Sequence, residues 1–334
     1  MRKRILELLR SANGKCISGE LIAKKFEVSR TAVWKHIQEL RKIGYEIDST
    51  VKSGYALRSA PDLLLPEEIQ NGLKTNVIGK EIIFFDSTDS TNEQAKLLIT
   101  ERKNKIADGT VIVAEEQTGG RGRLDRKFFS PAYKSILFSV IIHPDISPID
   151  APKFTLAAAA AIAKAMKHFQ LPVGIKWPND IMYKNKKLVG ILTEMNAEIS
   201  KIHCIIVGCG INFSIEEFPD DIKDIATSVE LVKKDAGIEK SFTRVEFFQK
   251  VLEEMDSAYI EIKKHGFRKI FYDWKKFSIT LDKDVLVVPY GEPDKAFEGR
   301  AVALDQNGAL IVKRTDGLRT HVSAAEVSIK SKDI

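Results

Sequence analysis

Apolar positions recur every three or four residues in three short stretches at the start of the chain, and the rhythm then changes. Ile5, Leu8 and Leu9 mark one face of a first helix that stops near Asn13-Gly14. Ser18-Gly19-Glu20 opens a second, with Ser18 as the N-cap ahead of Leu21, Ile22 and Phe26. After the turn at Val28-Ser29, Val33, Ile37 and Leu40 line one side of a third helix over 30–40, with Trp34 beside them. Arg30, Thr31, Lys35 and Gln38 project elsewhere. Two short strands follow at 45–48 and 54–57, joined by the polar stretch 49–53. A buttressing helix, a second helix that presents polar side chains, and a β-wing make a winged helix-turn-helix. In that layout Arg30, Thr31, Lys35, Gln38 and the wing residue Lys52 are the candidate DNA contacts. A small helical protein-interaction module with a basic face is the competing reading of the same stretch.

Pro61-Asp62 begins a linker, and from residue 80 strands and helices alternate. Ile82-Ile83-Phe84-Phe85 reads as a buried strand, 86–92 as a polar turn and 93–101 as a helix. Ser90 or Asn92 could cap that helix or face a polar ligand. Strands are expected at 110–116, 135–141, 186–192 and 205–212, with a buried Ala-rich helix at 155–169. A long amphipathic helix over 242–264 precedes a β-rich tail, with strands at 285–288, 299–304, 309–312 and 320–322 between turn signals.

Charge sharpens the division. The net charge of +6 is wholly N-terminal: residues 1–60 carry +7 and the remaining residues −1. A polyanion-binding module attached to a near-neutral body accounts for that asymmetry. At 334 residues, 44% hydrophobic and 29% charged, the chain suits two or three soluble domains. The three cysteines form no CxxC and no even framework, which points to a reducing cytoplasm. His203, Cys204 and Cys209 lie in an apolar run and read as strand packing rather than metal ligands. No apolar run approaches a membrane span, and no secretory leader is evident at the N-terminus.

The densest chemistry is Gly119-Gly120-Arg121-Gly122-Arg123-Leu124-Asp125-Arg126-Lys127. Glycine lets backbone approach a ligand closely, and arginine offers a planar fork to carboxylate and phosphate. Such a loop fits around an anion, with Phe128 and Phe129 able to cover a flat ring. Further on, Lys176-Trp177-Pro178-Asn179-Asp180 is a candidate site corner. Lys187 stands where a strand emerges, and Asn212 lies just past the glycines Gly208 and Gly210.

In their order, Ser90-Thr91-Asn92, then 117–126, 176–180, 187–191 and 208–212, these segments resemble the biotin protein ligases. The winged helix-turn-helix in front resembles the bifunctional type that is also the biotin operon repressor. The resemblance covers essentially the whole chain. It departs at Asp125, where many members have glycine, and at Phe128, where many have tryptophan.

The resemblance implies an α+β architecture: a winged helix-turn-helix over 1–62, a central mixed β-sheet with helices (class II synthetase-like) over 63–279, and an SH3-like β-barrel over 280–334. It implies activation of biotin with ATP and Mg²⁺ to biotinyl-5′-AMP and pyrophosphate, then transfer to one lysine of a biotin carboxyl carrier protein. On the biotin side it implies Ser90, Thr91, Asn92, Gln117, Gly120, Arg121, Gly122, Arg123 and Lys187. On the ATP or adenylate side it implies Arg121, Arg123, Arg126, Phe128, Lys176, Asn179 and Asn212. Arg123 and Lys187 would act at the reacting centre, and Asp180 would orient the attacking lysine or accept its proton. The metal ligands stay unassigned. Cations suit the reaction, because adenylation brings two anions together. The Gly/Arg loop is expected to be mobile when empty and ordered over the adenylate. Operator DNA, the carrier domain and, with adenylate bound, a second copy of the chain are the implied partners; a membrane is not. Two readings remain beside this one: an effector-sensing regulator that does no chemistry, and a ligase for lipoate or octanoate.

Overall fold

A computed structural model describes residues 1–50, 54–102, 105–198, 201–323 and 325–330. The chain divides into two compact units, Met1–Leu63 and Leu64–Ile334.

The first unit contains helices α1 (Arg2–Ser11), α2 (Gly19–Phe26) and α3 (Arg30–Ile43), then a hairpin of β1 (Glu46–Thr50) and β2 (Gly54–Ser59). Ser18 and Ser29 accept the N–H groups of Leu21 and Ala32, both at 3.1 Å, and so start α2 and α3. Ile5, Leu6, Leu9, Ile22, Val33, Ile37 and Leu40 form the core. Three positions depart from the pattern reading. Leu6 is buried in place of Leu8, and Leu21 and Trp34 are exposed. Each lies one residue off the stripe expected of it, which swings a helical side chain by about 100°. Arg30, Thr31 and Lys35 are exposed and Gln38 is half-buried. Lys52 lies outside the described residues.

The second unit is built on a seven-stranded mixed sheet. Its elements are α4 (Pro66–Gln70), β3 (Ile82–Thr88), α5 (Thr91–Glu101), β4 (Thr110–Gln117), β5 (Ser135–Ile142), α6 (Lys153–His168), β6 (Gly174–Lys176), β7 (Asp180–Tyr183), β8 (Lys186–Glu198) and β9 (Lys201–Asn212), followed by α7 (Val229–Ala236), α8 (Arg244–His265) and α9 (Arg268–Phe277). The strand order is β3-β4-β5-β9-β8-β7-β6, with β3 and β4 parallel and the other pairs antiparallel. β3 is an edge strand, so residues 82–85 are half-buried rather than buried.

Alternation along the strands decides what each face does. Ile136, Phe138 and Val140 of β5 point into the main core, together with residues of α6, α8 and α9. On the opposite face α5 covers only a small cluster: Ile112, Ile141, Cys204 and Ile206 with its own Ala95 and Ile99. Cys204 and Cys209 are buried free thiols, and burial pushes the Cys209 thiol up. The rest of that face is open and carries the site.

A second sheet, β10 (Asp284–Pro289), β11 (Phe297–Leu304), β12 (Leu310–Arg314), β13 (Arg319–Val322) and β14 (Ala325–Ile329), is antiparallel in the order β13-β12-β11-β10-β14. β14 has no counterpart in the sequence reading, because Ala325, Val327 and Ile329 carry an alternation too short and too polar to stand out. Val285, Val287, Leu310, Val312 and Val327 join the same core as the seven-stranded sheet. One buried ion pair ties distant segments of this unit together. Glu115 of β4 accepts from Arg244 of α8 at 2.7 Å and from the Leu64 N–H at 2.7 Å.

Candidate active site

The floor of the site lies where the open face of the sheet is poorest in side chains. Directly paired residues of antiparallel strands face the same side, so the floor reads as rows. One row is Ser139 and Gly208; the next runs Leu137, Gly210, Gly190, Asp180; a third pairs Ser135 with Asn212. Two glycines are required by close approach. A Cβ on Gly208 would lie 2.2 Å from Asn92 Oδ1, and one on Gly210 would lie 2.6 Å from the Phe128 ring. Gly208→Ala is therefore expected to displace Asn92 and to cost about 1–3 kcal/mol of overpacking. The check is thermal unfolding, whose midpoint should fall accordingly.

The N-terminus of α5 forms one wall. Ser90 is the N-cap residue, yet its hydroxyl makes no capping bond. Asp89 accepts the Ser90 N–H at 2.6 Å and the Gln94 side chain at 3.0 Å. The Gln94 hydrogen bond leads in holding the Asp89 carboxyl below the usual carboxylate range. Ser90 is thereby released toward the cavity, at the positive end of a helix dipole. The Thr91 N–H and hydroxyl both donate to Gln117 Oε1, at 2.7 and 3.0 Å. Asn92 is braced on all sides: Oδ1 accepts from Ser139 at 2.6 Å, and Nδ2 donates to Glu194 at 2.7 Å and to the Leu192 carbonyl at 3.4 Å. In this geometry Asn92 shapes the wall and has few donors left over.

The Gly/Arg loop is a small closed hairpin. Arg121 bridges Lys127, Gly122 N–H donates to Arg126 O at 2.7 Å, and Phe128 N–H donates to Gly120 O at 3.0 Å. The Phe128 ring rests against Gly210 and Gly190, on the floor. Arg123 reaches Asn179 Oδ1 at 3.4 Å, while Asn179 Nδ2 donates to the Ile191 carbonyl at 2.8 Å. Asn179 follows a cis Trp177–Pro178 bond in the corner between β6 and β7. Lys187 Nζ lies 2.6 Å from Asp180 Oδ1. Arg126 is turned to the second sheet, with its two terminal nitrogens 3.2 and 2.8 Å from the two oxygens of Glu326. That hydrogen bond leads in holding the Glu326 carboxyl below the ordinary range. A depressed carboxyl contributes stability above its unfolded value and loses it as pH falls through the folded one, so the clamp is intact at neutral pH and weakens on acidification.

These groups enclose a cavity of about 600 Å³. Ser90, Thr91, Asn92, Gln117, Arg121, Gly122, Arg123, Arg126, Phe128, Lys176, Asn179, Asp180, Lys187 and Asn212 all line it; Gly120 is buried behind the hairpin. The sequence pattern does not single out Phe218, Ile222 and Ile225, from the segment between β9 and α7, Tyr290, just past β10, or Glu326 of β14, all of which line the cavity. Phe218 packs against Phe129 with ring centroids 6.0 Å apart. The Lys187 N–H donates to Ile225 O at 2.7 Å, so the missed segment runs beside the catalytic candidate.

Comparison with known proteins defines the class first. Residues 84–212 match the biotin/lipoate A/B protein ligase family, 2–56 a helix-turn-helix domain and 288–330 the biotin protein ligase C-terminal domain. The bifunctional ligase/repressor BirA of Bacillus subtilis (strain 168) is 37% identical over 97% of this chain and 97% of its own. That of Escherichia coli (strain K12) is 27% identical over 96% and 95%. A biotin protein ligase from Aquifex aeolicus, solved in complex with biotin and ATP, superposes with a TM-score of 0.61 at 27% identity, covering 75% of this chain and 99% of that one. The chain belongs to the bifunctional biotin ligase/repressor family.

Proposed function

We propose that the cavity is where this ligase joins biotin to AMP, and that the adenylate so formed serves both biotin transfer and repression. The carrying observation is one two-ligand-sized space that gathers the α5 N-terminus, Arg123, Lys176 and Lys187 over a glycine floor. Ser90, Thr91, Gln117 and the hairpin backbone form the biotin end. Lys176, Asn179, Phe128 and Asn212 face the nucleotide. Arg123 and Lys187 lower the repulsion between carboxylate and phosphate, and Asp180 orients the incoming lysine of a carboxyl carrier domain. Residues 1–62, 63–279 and 280–334 are the working division of labour.

Among the described residues no group of three His, Cys, Asp or Glu side chains could cage a metal. Asn212 Nδ2 donates to Thr227 O, while its buried Oδ1 has no hydrogen-bond partner among the described residues. That single neutral oxygen fits a Mg²⁺ ion that arrives on the triphosphate and keeps most of its own waters. Such an ion would neutralise phosphate charge.

Among the described residues no helix is long and apolar enough to cross a membrane. Work in the cytoplasm, on a carrier protein and on operator DNA, is the reading that the cysteine usage supports. With adenylate bound, two copies would pair through the sheet edge and present two α3 helices to a palindrome.

Incubation with labelled biotin, ATP and a cell lysate should label a single carrier band, and pyrophosphate exchange should require biotin. A labelled lipoyl carrier in place of that band would redirect the assignment. The repressor half has a built-in reporter. Of the three tryptophans, Trp177 and Trp274 are buried, and only Trp34, on α3, is exposed, at 52%. Operator DNA should change the intrinsic fluorescence, and Trp34→Phe should abolish that change. An unchanged spectrum at DNA concentrations that retard the protein in a gel would count against α3 as the reading helix. Sedimentation with and without biotin plus ATP tests the dimer.

A further inference from the structure

The second sheet holds two arginines of the Gly/Arg hairpin, three residues apart, in opposite ways. Arg126 has its guanidinium fork taken up by both oxygens of Glu326. Arg123 instead places its guanidinium over the Tyr290 ring, with Cζ 4.9 Å from the ring centroid. Tyr290 directly follows β10, whose Val288 and Pro289 pair with Glu326 and Ala325 of β14, so the two holds are neighbours on the sheet. Tyr290 and Glu326 both line the cavity.

The difference has a chemical consequence. A carboxylate partner occupies the in-plane N–H donors of an arginine. An aromatic ring attracts the cation without offering the paired oxygens that take up that fork, so donors stay available to an anion. Among the described residues the hydrogen bond of Arg123 to Asn179, at 3.4 Å, is long and leaves most of its fork for a ligand. Arg126 is thus the anchor of the hairpin, and Arg123 is the hand that it presents.

We propose that Tyr290 is a positioning residue for adenylation: its ring holds the Arg123 guanidinium with the donor edge toward the carboxylate and phosphate, while Glu326 fixes the hairpin through Arg126. The inference rests on the adenylating reading above. It gives the second sheet a defined task in the chemistry, that of aligning a cation which it does not itself supply.

The test compares Tyr290→Leu, Tyr290→Phe and the parent after incubation with biotin and ATP. The readouts are the half-time of biotinyl-adenylate retention on gel filtration, labelling of bystander lysines, and KM for ATP against kcat in pyrophosphate exchange. Loss of a partly desolvated cation–π contact corresponds to about 3- to 30-fold. Tyr290→Leu should shorten retention by that factor and raise bystander labelling, with an unchanged unfolding temperature. Tyr290→Phe should restore the parental values, because it keeps the face and removes only the hydroxyl. Should Tyr290→Leu fail to fold, Tyr290→Met keeps side-chain volume without a π face and takes its place. Parental retention in the Leu or Met variant overturns the proposal. Equal loss in the Phe variant also overturns it, because the phenol oxygen would then be the active part. A parent that forms no adenylate would instead defeat the functional reading itself.

Discussion

Replacement of Lys187 by methionine is expected to slow biotinyl-adenylate formation by about 10²- to 10³-fold, the usual consequence of removing one preorganised charge or donor at a reacting centre. Lys187 lies near the start of β8, opposite Met182 of β7. Its N–H donates to Ile225 O and its carbonyl accepts from Thr227 N–H, at 2.7 and 2.9 Å, so its backbone is fixed from both sides. The ammonium stands 2.6 Å from Asp180 over the glycine floor. In a cavity from which ligands displace water, that charge acts on an incoming phosphate or carboxylate through a lower effective dielectric than it would in solution. Methionine keeps an unbranched stem and loses the ammonium with its donors, and the partly exposed Asp180 keeps access to water, so the fold should survive. Pyrophosphate exchange measures the effect, with unfolding temperature as the control. A rate within threefold of the parent would remove Lys187 from the reacting centre.

The largest expected loss of stability lies away from the chemistry. Glu115 and Arg244 are almost fully buried, with side-chain exposures of 0% and 3%, and pair at 2.7 and 3.3 Å. Arg244 also donates to the Ser135 carbonyl at 3.1 Å, and Glu115 accepts the Leu64 N–H at 2.7 Å. The pair therefore joins the first residue of the second unit, two strands of the large sheet and the N-terminal turn of α8. Arg244→Met leaves a buried carboxylate without its counter-charge, and Glu115→Gln leaves a buried guanidinium without its own. Each should cost about 3–5 kcal/mol, a fall in unfolding temperature of roughly 6–20 °C for a unit of this size. The double variant should be more stable than the sum of the singles predicts, because neither charge is then stranded. Additive losses in the double variant would show that the two groups act independently.

Local pattern carried much of this protein. The capping serines Ser18 and Ser29, the 3–4 spacing of Val33, Ile37 and Leu40, and the apolar strands β4, β5 and β9 are decided by neighbours within a turn or a pleat. The cavity-lining segments were legible for another reason. Taken singly, the glycine pairs, the Gly/Arg run and the Trp-Pro-Asn-Asp corner are weak to moderate signals; their order along the chain is what is specific. Elsewhere the surroundings of a residue decided more than its own pattern did. Residues 82–85 look like a buried strand but lie at a sheet edge. Trp34 reads as lying beside the apolar face of α3, and that stripe is narrow enough to leave it in solvent. Ser90 is open, by its sequence, to capping or to facing a ligand; it stands at the N-cap with no capping bond from its hydroxyl, while Asp89 accepts its N–H.

The sequence by itself determined most of the longer helices and strands, the basic N-terminal module and the inventory of chemically capable side chains, because periodicity, capping and charge are properties of nearby residues. Only the tertiary structure decided which of those side chains face one another. Strand register put Gly208 under Asn92 and Gly210 under Phe128. The second sheet turned one arginine into an anchor and left its neighbour with donors to offer. Such pairings join residues some eighty to two hundred positions apart, where no local repeat can signal them and only the closing of the sheets brings them within bonding distance.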